Sequence, residues 1–485
     1  MTEPISRRRA LTLGVLGIGA IAAGATGLVV GTRSTSEPPS AGPDTGWPQP
    51  RVLTSENGVL EVDLDVAETD VTIGDSTIRM LTYNGSAPGP TLHLHPGDRL
   101  RIHLHNGLDQ PTNLHTHGLD VSATGNSDNP FLRIDPGGAF DYEIDLPADH
   151  PAGVCWYHPH HHGMVAEQLF GGLYGAIIVD EEDWSTTAPL VAVISDATFT
   201  DGRVADVSPT ERIAGRTGDT LMTNGQITPA IHAPAGSNER LLVINACSSR
   251  YLDLQLGNLD AQLRGRDSVR LGEPAAIDRL LLVPGNRVDL VVTVPTSTGD
   301  LIAATYDRGH TGMGMMGGQS TISPEATVLS VVPDAQAPAR VVAPAASTPL
   351  PDLRDRVPDA RRTLTLSMGG GMGGEGMGMR FLMDDRSFDP NRIDQSIPIG
   401  TVEEWTIVNQ SPMNHPFHLH VWPMQMVRAG GSYVSGVEVR DVIDIPARQS
   451  ITVRIAFDRF PGTTVYHCHI LDHEDLGMMG VLRAR

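Results

Sequence analysis

An all-β chain built from three related domains is the architecture this sequence predicts, and three observations carry it. Of 485 residues, 52 are glycine and 36 proline, while only 5% are aromatic, a loop-rich composition that suits short strands better than helices. From about Leu60, short alternating segments are punctuated by turn signals such as Asn84-Gly85 and Pro96-Gly97-Asp98, and long helical periods are absent. Internal repetition then appears at roughly domain spacing. Gly97-Asp98-Arg99-Leu100-Arg101-Ile102-His103-Leu104 returns loosely at residues 238–245 and again at 402–409. A second strand type follows in the same order: Pro136-Gly137-Gly138 leads into Tyr142-Glu143-Ile144, Pro284-Gly285-Asn286 into Leu290-Val291-Val292, and Pro446-Ala447-Arg448 into Thr452-Val453-Arg454.

The length is too great for one core and fits about three domains. Residues 1–45 read as an export signal and linker, 46–182 as the first domain, 183–340 as the second and 345–485 as the third, with the last break in the Ala- and Pro-rich stretch 335–351. Ser6-Arg7-Arg8-Arg9-Ala10-Leu11, followed by an uncharged apolar run to Val30, fits a twin-arginine (Tat) export signal. The Tat machinery is thus an expected partner, and the expected location is periplasmic, cell-surface or secreted. Ala23-Gly24-Ala25 offers a cleavage site, although Leu28-Val29-Val30 beyond it keeps the run near spanning length, about 20 residues; an uncleaved leader acting as a membrane anchor is the alternative.

With 57 acidic against 35 basic side chains, every one of the latter arginine, the net charge is -22. Such a surface repels nucleic acid and anionic lipid and attracts cations, including metal ions; solubility alone is the plainer reading. Cys155 and Cys247 read as buried free thiols, with a disulfide across domains as the alternative in an oxidising compartment.

The first domain carries His115-Thr116-His117-Gly118 and Trp156-Tyr157-His158-Pro159-His160, and the third carries Asn414-His415-Pro416-Phe417-His418-Leu419-His420 and the run from Tyr466 through Met478. A His-x-His on a strand puts two imidazoles on one face. One such pair is ordinarily a polar face; four of them, one split by a cysteine, are not. With Val465 to Ile470 extended, Cys468 points one way and His467 and His469 the other. On the Cys468 side, His473 and Met478 can converge from one loop, and His415, set apart by Pro416, can join them: the trigonal His2Cys set with a weak axial Met of a blue-copper site. Zinc prefers four ligands and has no redox chemistry, so ten imidazoles with a Cys/Met pair exceed its needs.

At these four motifs the chain resembles the multicopper oxidases: laccases, bilirubin oxidases and bacterial copper-efflux oxidases. The resemblance implies four copper ions per chain. Type 1 copper would be held by His415, Cys468, His473 and Met478, type 2 by His115 and His418, and the two type 3 ions by His117, His158, His160, His420, His467 and His469. Each domain would be a cupredoxin-type Greek-key barrel, the trinuclear cluster would lie between the first and third, and the middle one would be a spacer. Thr116 stands where the family often has an aromatic and Val421 where it usually has glycine.

The reaction so implied takes single electrons from a reducing substrate at type 1 copper and reduces dioxygen to water at the cluster. Glu474 and Asp128 match acidic positions that supply protons. Gly312-Met313-Gly314-Met315-Met316 and the stretch Met368 to Met379, with Met383 following, are similar to the methionine-rich insert of copper-efflux oxidases. Soft thioethers at Met368, Met372, Met377 and Met379 suit Cu(I) as the substrate, with phenols or aryl amines the alternative. A non-catalytic copper-sequestering protein is the reading from another class. His93, His95, His103 and His105 alternate with apolar residues and are expected to face solvent or to back the ligands, as are His161 and His162.

Overall fold

The two repeated segments pair with each other in every domain. Arg99–Asn106 runs antiparallel to Ala139–Asp145, Asn238–Asn245 to Arg287–Thr293, and Thr401–Asn409 to Ser450–Phe457. On the far side of the first member lies a parallel strand, Val59–Ile73, Leu190–Ala197 or Ala360–Gly370. An antiparallel fourth follows, Ser76–Tyr83, Thr220–Thr223 or Met379–Met383. One four-strand order thus occurs three times. In the first domain Val59–Ile73 begins by alternating buried and exposed residues, and such a buried face must be covered by another sheet, whereas Leu190–Ala197 of the second is buried along its whole length. A five-stranded sheet provides the cover in each domain. The shared cores hold Leu64, Leu100, Ile144 and Ile177 in the first, Leu241, Leu252, Leu290 and Leu329 in the second, and Leu364, Trp405, Phe417 and Val453 in the third.

This computed structural model describes residues 47–180, 182, 184, 188–310, 321–342, 350–370 and 379–485. The leader, Met313, Met315, Met316, Met372 and Met377 lie outside the described residues. Among the described residues no helix is long and apolar enough to cross a membrane.

The middle segment does more than separate its neighbours. Its hairpin Phe199–Thr200 and Arg203–Val204 joins a sheet of the first domain through Arg203 and Arg79. A separate apolar cluster joins all three segments: Trp156, Val165 and Leu169 from the first, Val191, Val193, Leu242 and Ile244 from the second, and Leu471 from the third. His93 departs from the expectation. It is buried, 2.9 Å from Asp180, and stacked on Trp184 at 4.0 Å, so it neither faces solvent nor backs a ligand. His103 and His105 are exposed beside Asp141 and Asp65.

Candidate metal centres

Two pairs of strands carry the ligand motifs. His115–His117 lies antiparallel to Gly153–His158, with His115 opposite His158 and His117 opposite Trp156. In the third domain, His415–Leu419 lies antiparallel to Gly462–Cys468, with Phe417 opposite Cys468 and His418 opposite His467. Alternation then separates two sites: Cys468 and Phe417 enter the third domain's own core, whereas His418 and His467 turn toward the imidazoles of the first. The strand ends at Cys468, and His469 is held beyond it by its N–H donating to Pro416 O at 2.7 Å.

On the core side, His415 Nδ1 lies 3.3 Å from Cys468 Sγ and 3.3 Å from His473 Nδ1, and His473 Nδ1 lies 3.9 Å from Cys468 Sγ. The outer nitrogens are engaged: His415 Nε2 with Ser411 Oγ at 2.8 Å, and His473 Nε2 donating to Ile213 O at 3.1 Å. Such contacts fix the tautomer and present Nδ1 inward. Phe381 stacks on His473 at 4.1 Å. Met478 is fully buried, and its carbonyl accepts from Cys468 N at 3.0 Å. Burial pushes His415 down to about 3 and the Cys468 thiol up, so the imidazole stays neutral, its ligating form.

On the other side eight imidazoles meet. Four have Nδ1 committed outward: His115 to Asp128 at 2.9 Å, His158 to Pro159 O at 2.8 Å, His418 to Asp441 O at 2.8 Å and His467 to Cys468 O at 3.0 Å. His467 Nε2 lies 3.2 Å from Nε2 of both His160 and His420. Nitrogen donors about 2 Å from one metal ion stand roughly 3.3 Å apart at near-tetrahedral angles. His115, His117 and His158 form one group able to hold an ion, His160, His420 and His467 another, and His115, His418 and His420 a third. His469 packs edge-on against His117 and His158, with ring centroids 5.0 and 5.8 Å away.

The orphaned atoms test whether metal fits. Nε2 of His115, His158 and His418, Nδ1 of His420, and both nitrogens of His117 and His469 are buried without a hydrogen-bond partner. Each buried, unsatisfied polar atom costs about 1–3 kcal/mol, and since a neutral imidazole has one lone pair, these six rings present six lone pairs that a metal ion would accept. At the Cys468 set, a soft thiolate beside two imidazoles suits copper.

Carboxylates frame the imidazoles. Asp128 accepts from His115 Nδ1 and from Thr116 N, and burial pushes it up to about 7. Glu474 has Oε2 at 3.0 Å from His467 Nδ1 and Oε1 at 3.3 Å from His160 Nε2; burial works to raise it, but those imidazoles draw it down to about 2. Sequence reasoning missed Asp441, which groups with His117 and His418 and is gripped by Arg287 of the middle domain at 2.6 and 2.8 Å. It also missed Gly285, where a Cβ would meet His469 Nε2 at 2.9 Å, and Ser411, Ile213 and Phe381. Only Gly285 lies in a repeated segment, where it reads as a turn residue.

The helix Leu471–Asp475 ties the centres to the rest of the molecule. Asp472 accepts from Arg216 of the middle domain at 2.8 Å, and Asp475 accepts from Gly163, Val165 and Ala166 N–H at the start of the first domain's helix Val165–Phe170. The third domain supplies every grouped ligand of the Cys468 set, but the middle one closes it through Ile213. Met368 and Met379 are half-buried on paired strands and Met383 is buried. Cys155 and Cys247 are buried and free.

Multicopper oxidase family models match residues 65–183 and 357–485. The chain is 28% identical over 418 residues to a multicopper oxidase of Staphylococcus aureus, covering 83% of each, and 25% identical over 470 residues to a laccase of Bacillus stratosphericus, covering 83% of this chain and 90% of the laccase. Among solved structures it is similar to a multicopper oxidase from Campylobacter jejuni described as a metallo-oxidase, with a TM-score of 0.76 and 28% identity over 90% of this chain and 96% of that one.

Proposed function

This chain belongs to the multicopper oxidases and is a copper-binding oxidoreductase, and from that premise we propose that it holds four copper ions and oxidises Cu(I) with dioxygen. His415, Cys468, His473 and axial Met478 would hold type 1 copper, His115 and His418 type 2, and His117, His158, His160, His420, His467 and His469 the type 3 pair. Bound copper supplies one-electron oxidation of the substrate at the first site and four-electron reduction of dioxygen to two waters, with four protons consumed, at the second. Cys468 lies between His467 and His469 in the chain, so a few covalent bonds connect the sites.

One contact carries the choice of Cu(I). The strands Ala360–Gly370 and Met379–Met383 are joined by Gly371-Met372-Gly373-Gly374-Glu375-Gly376-Met377-Gly378, and Phe381, opposite Met368 in their register, stacks on His473. Met368, whose thioether favours the cuprous ion, is thereby paired with the ring that stacks on the imidazole where an electron would enter. The Ile213 carbonyl covers the outer nitrogen of that imidazole. Oxygen uptake by the copper-loaded, leader-free protein, with Cu(I) in one run and a dimethoxyphenol in the other, decides it. Faster uptake with Cu(I), lost in Met372→Leu/Met377→Leu, is expected; a phenol preference makes the protein a laccase, and a blue band without uptake makes it a sequestering protein.

Asp128 and Glu474 are proposed to move protons at the His115 and His467 edges. Asp128→Asn and Glu474→Gln are expected to slow oxygen reduction at least tenfold while leaving the blue band unchanged; undiminished uptake defeats this role. Export by the twin-arginine route rests on Arg7 and Arg8, and Arg7→Lys/Arg8→Lys should leave the protein in the cytoplasm.

A further inference from the structure

Arg308 is fully buried, and among the described residues no carboxylate lies within ion-pair distance of it. Among the described residues its Nε and Nη1 have no hydrogen-bond partner. An arginine stays charged under such conditions, so a cation is held inside the protein with most of its hydrogen-bonding capacity unused. Its position explains the arrangement. Nη2 donates to Ala214 O at 2.9 Å, one residue after the Ile213 carbonyl that fixes His473; both acceptors end the helix Pro209–Ala214. At the other end of the residue, the Arg308 carbonyl accepts from Asn414 N at 2.8 Å, immediately before His415. Asn414 in turn donates to Asp444 at 3.1 Å, Tyr251 donates to the same carboxylate at 2.8 Å, and the Arg308 guanidinium lies 5.9 Å from the Tyr251 ring. One residue of the middle domain therefore bridges the loops behind both histidines of the Cys468 set.

We propose that Arg308 is a positioning residue for the type 1 site, which sets its reduction potential by holding a fixed positive charge behind His415 and His473. Reduction lowers the positive charge of the bound ion by one, so a buried cation nearby favours the reduced state and raises the potential. Two of the surrounding carboxylates are taken up by other cations, Asp472 by Arg216 and Asp196 by Arg250. The neighbouring Asp444 opposes it.

The proposal rests on the type 1 reading of His415, Cys468 and His473, and the test separates the two. Redox titration of the blue band is followed in copper-loaded wild type, Arg308→Lys, which keeps the charge, and Arg308→Gln and Arg308→Met, which remove it. The melting temperature of each apoprotein reports folding damage. The potential is expected to fall in the neutral variants and to stay nearer wild type in Arg308→Lys. Asp444→Asn, which deletes the opposing charge, should shift it upward and serves if the neutral variants do not fold. Equal potentials in the lysine and neutral variants, or no shift in Asp444→Asn, overturn the proposal, whereas a wild type without a blue band defeats the type 1 reading itself.

Discussion

Val421 shows at the residue scale why a family preference exists. Its φ is 63°, a left-handed conformation that costs a β-branched residue about 1–2 kcal/mol and glycine almost nothing. Val421→Gly should therefore be cheap for a buried site, changing the unfolding free energy by less than about 1.5 kcal/mol, because released strain offsets lost burial; chemical denaturation checks it. His150 makes a different demand. It accepts from Asp120 N and donates to Pro151 O, and burial pushes it down to about 4. The unfolded chain takes up this proton near pH 6.5 and the folded one only near pH 4, so stability is fully present above pH 6.5 and is lost as pH falls through that window, by about 3 kcal/mol. Between pH 7 and pH 5, apoprotein carrying His150→Gln should lose about 2 kcal/mol less than wild type in urea titrations. The imidazoles were legible because residue type and spacing declare them, but Ile213 acts through a backbone carbonyl and Phe381 through stacking, neither of which leaves a pattern in one sequence.

At the scale of elements, strand alternation was legible wherever it mattered most. The opposed directions of Cys468 and His467 followed from period two, and the repeated segments proved to be paired strands. Glycine positions were not. Gly285 has a φ of 87°, and a Cβ there would press on His469, so Gly285→Ala should lower the copper taken up by the eight-imidazole cluster while the blue band persists, as metal analysis and absorption spectra can show. The helix Leu471–Asp475 was also missed, being too short for a helical period. Arg216→Met would leave the buried Asp472 only its 3.6 Å contact with Arg212, at a cost of up to about 3–5 kcal/mol, readable as a lower melting temperature of the apoprotein.

Across the whole molecule, ligands from the first and third domains meet in one cluster that neither domain supplies alone. The unfolded chain cannot gather them, so copper stabilises only the folded form. Loading should raise the melting temperature, by the equivalent of about 4 kcal/mol for each site whose free copper exceeds its dissociation constant a thousandfold. The tripartite plan was legible from repetition, whereas the middle domain's part in both centres was not, because Ile213 and Arg308 come from stretches without a motif and Arg287 sits in a repeated strand whose pattern declares only its pairing. The same junction restricts chain length. In Leu471–Asp475 successive residues serve the three-way core, Arg216, the Cys468 set, the imidazole cluster and the first domain's helix, and each step turns about 100° around the axis. Adding or deleting a single residue there would hand every side chain its neighbour's task, so this stretch should tolerate changes of residue far better than changes of number.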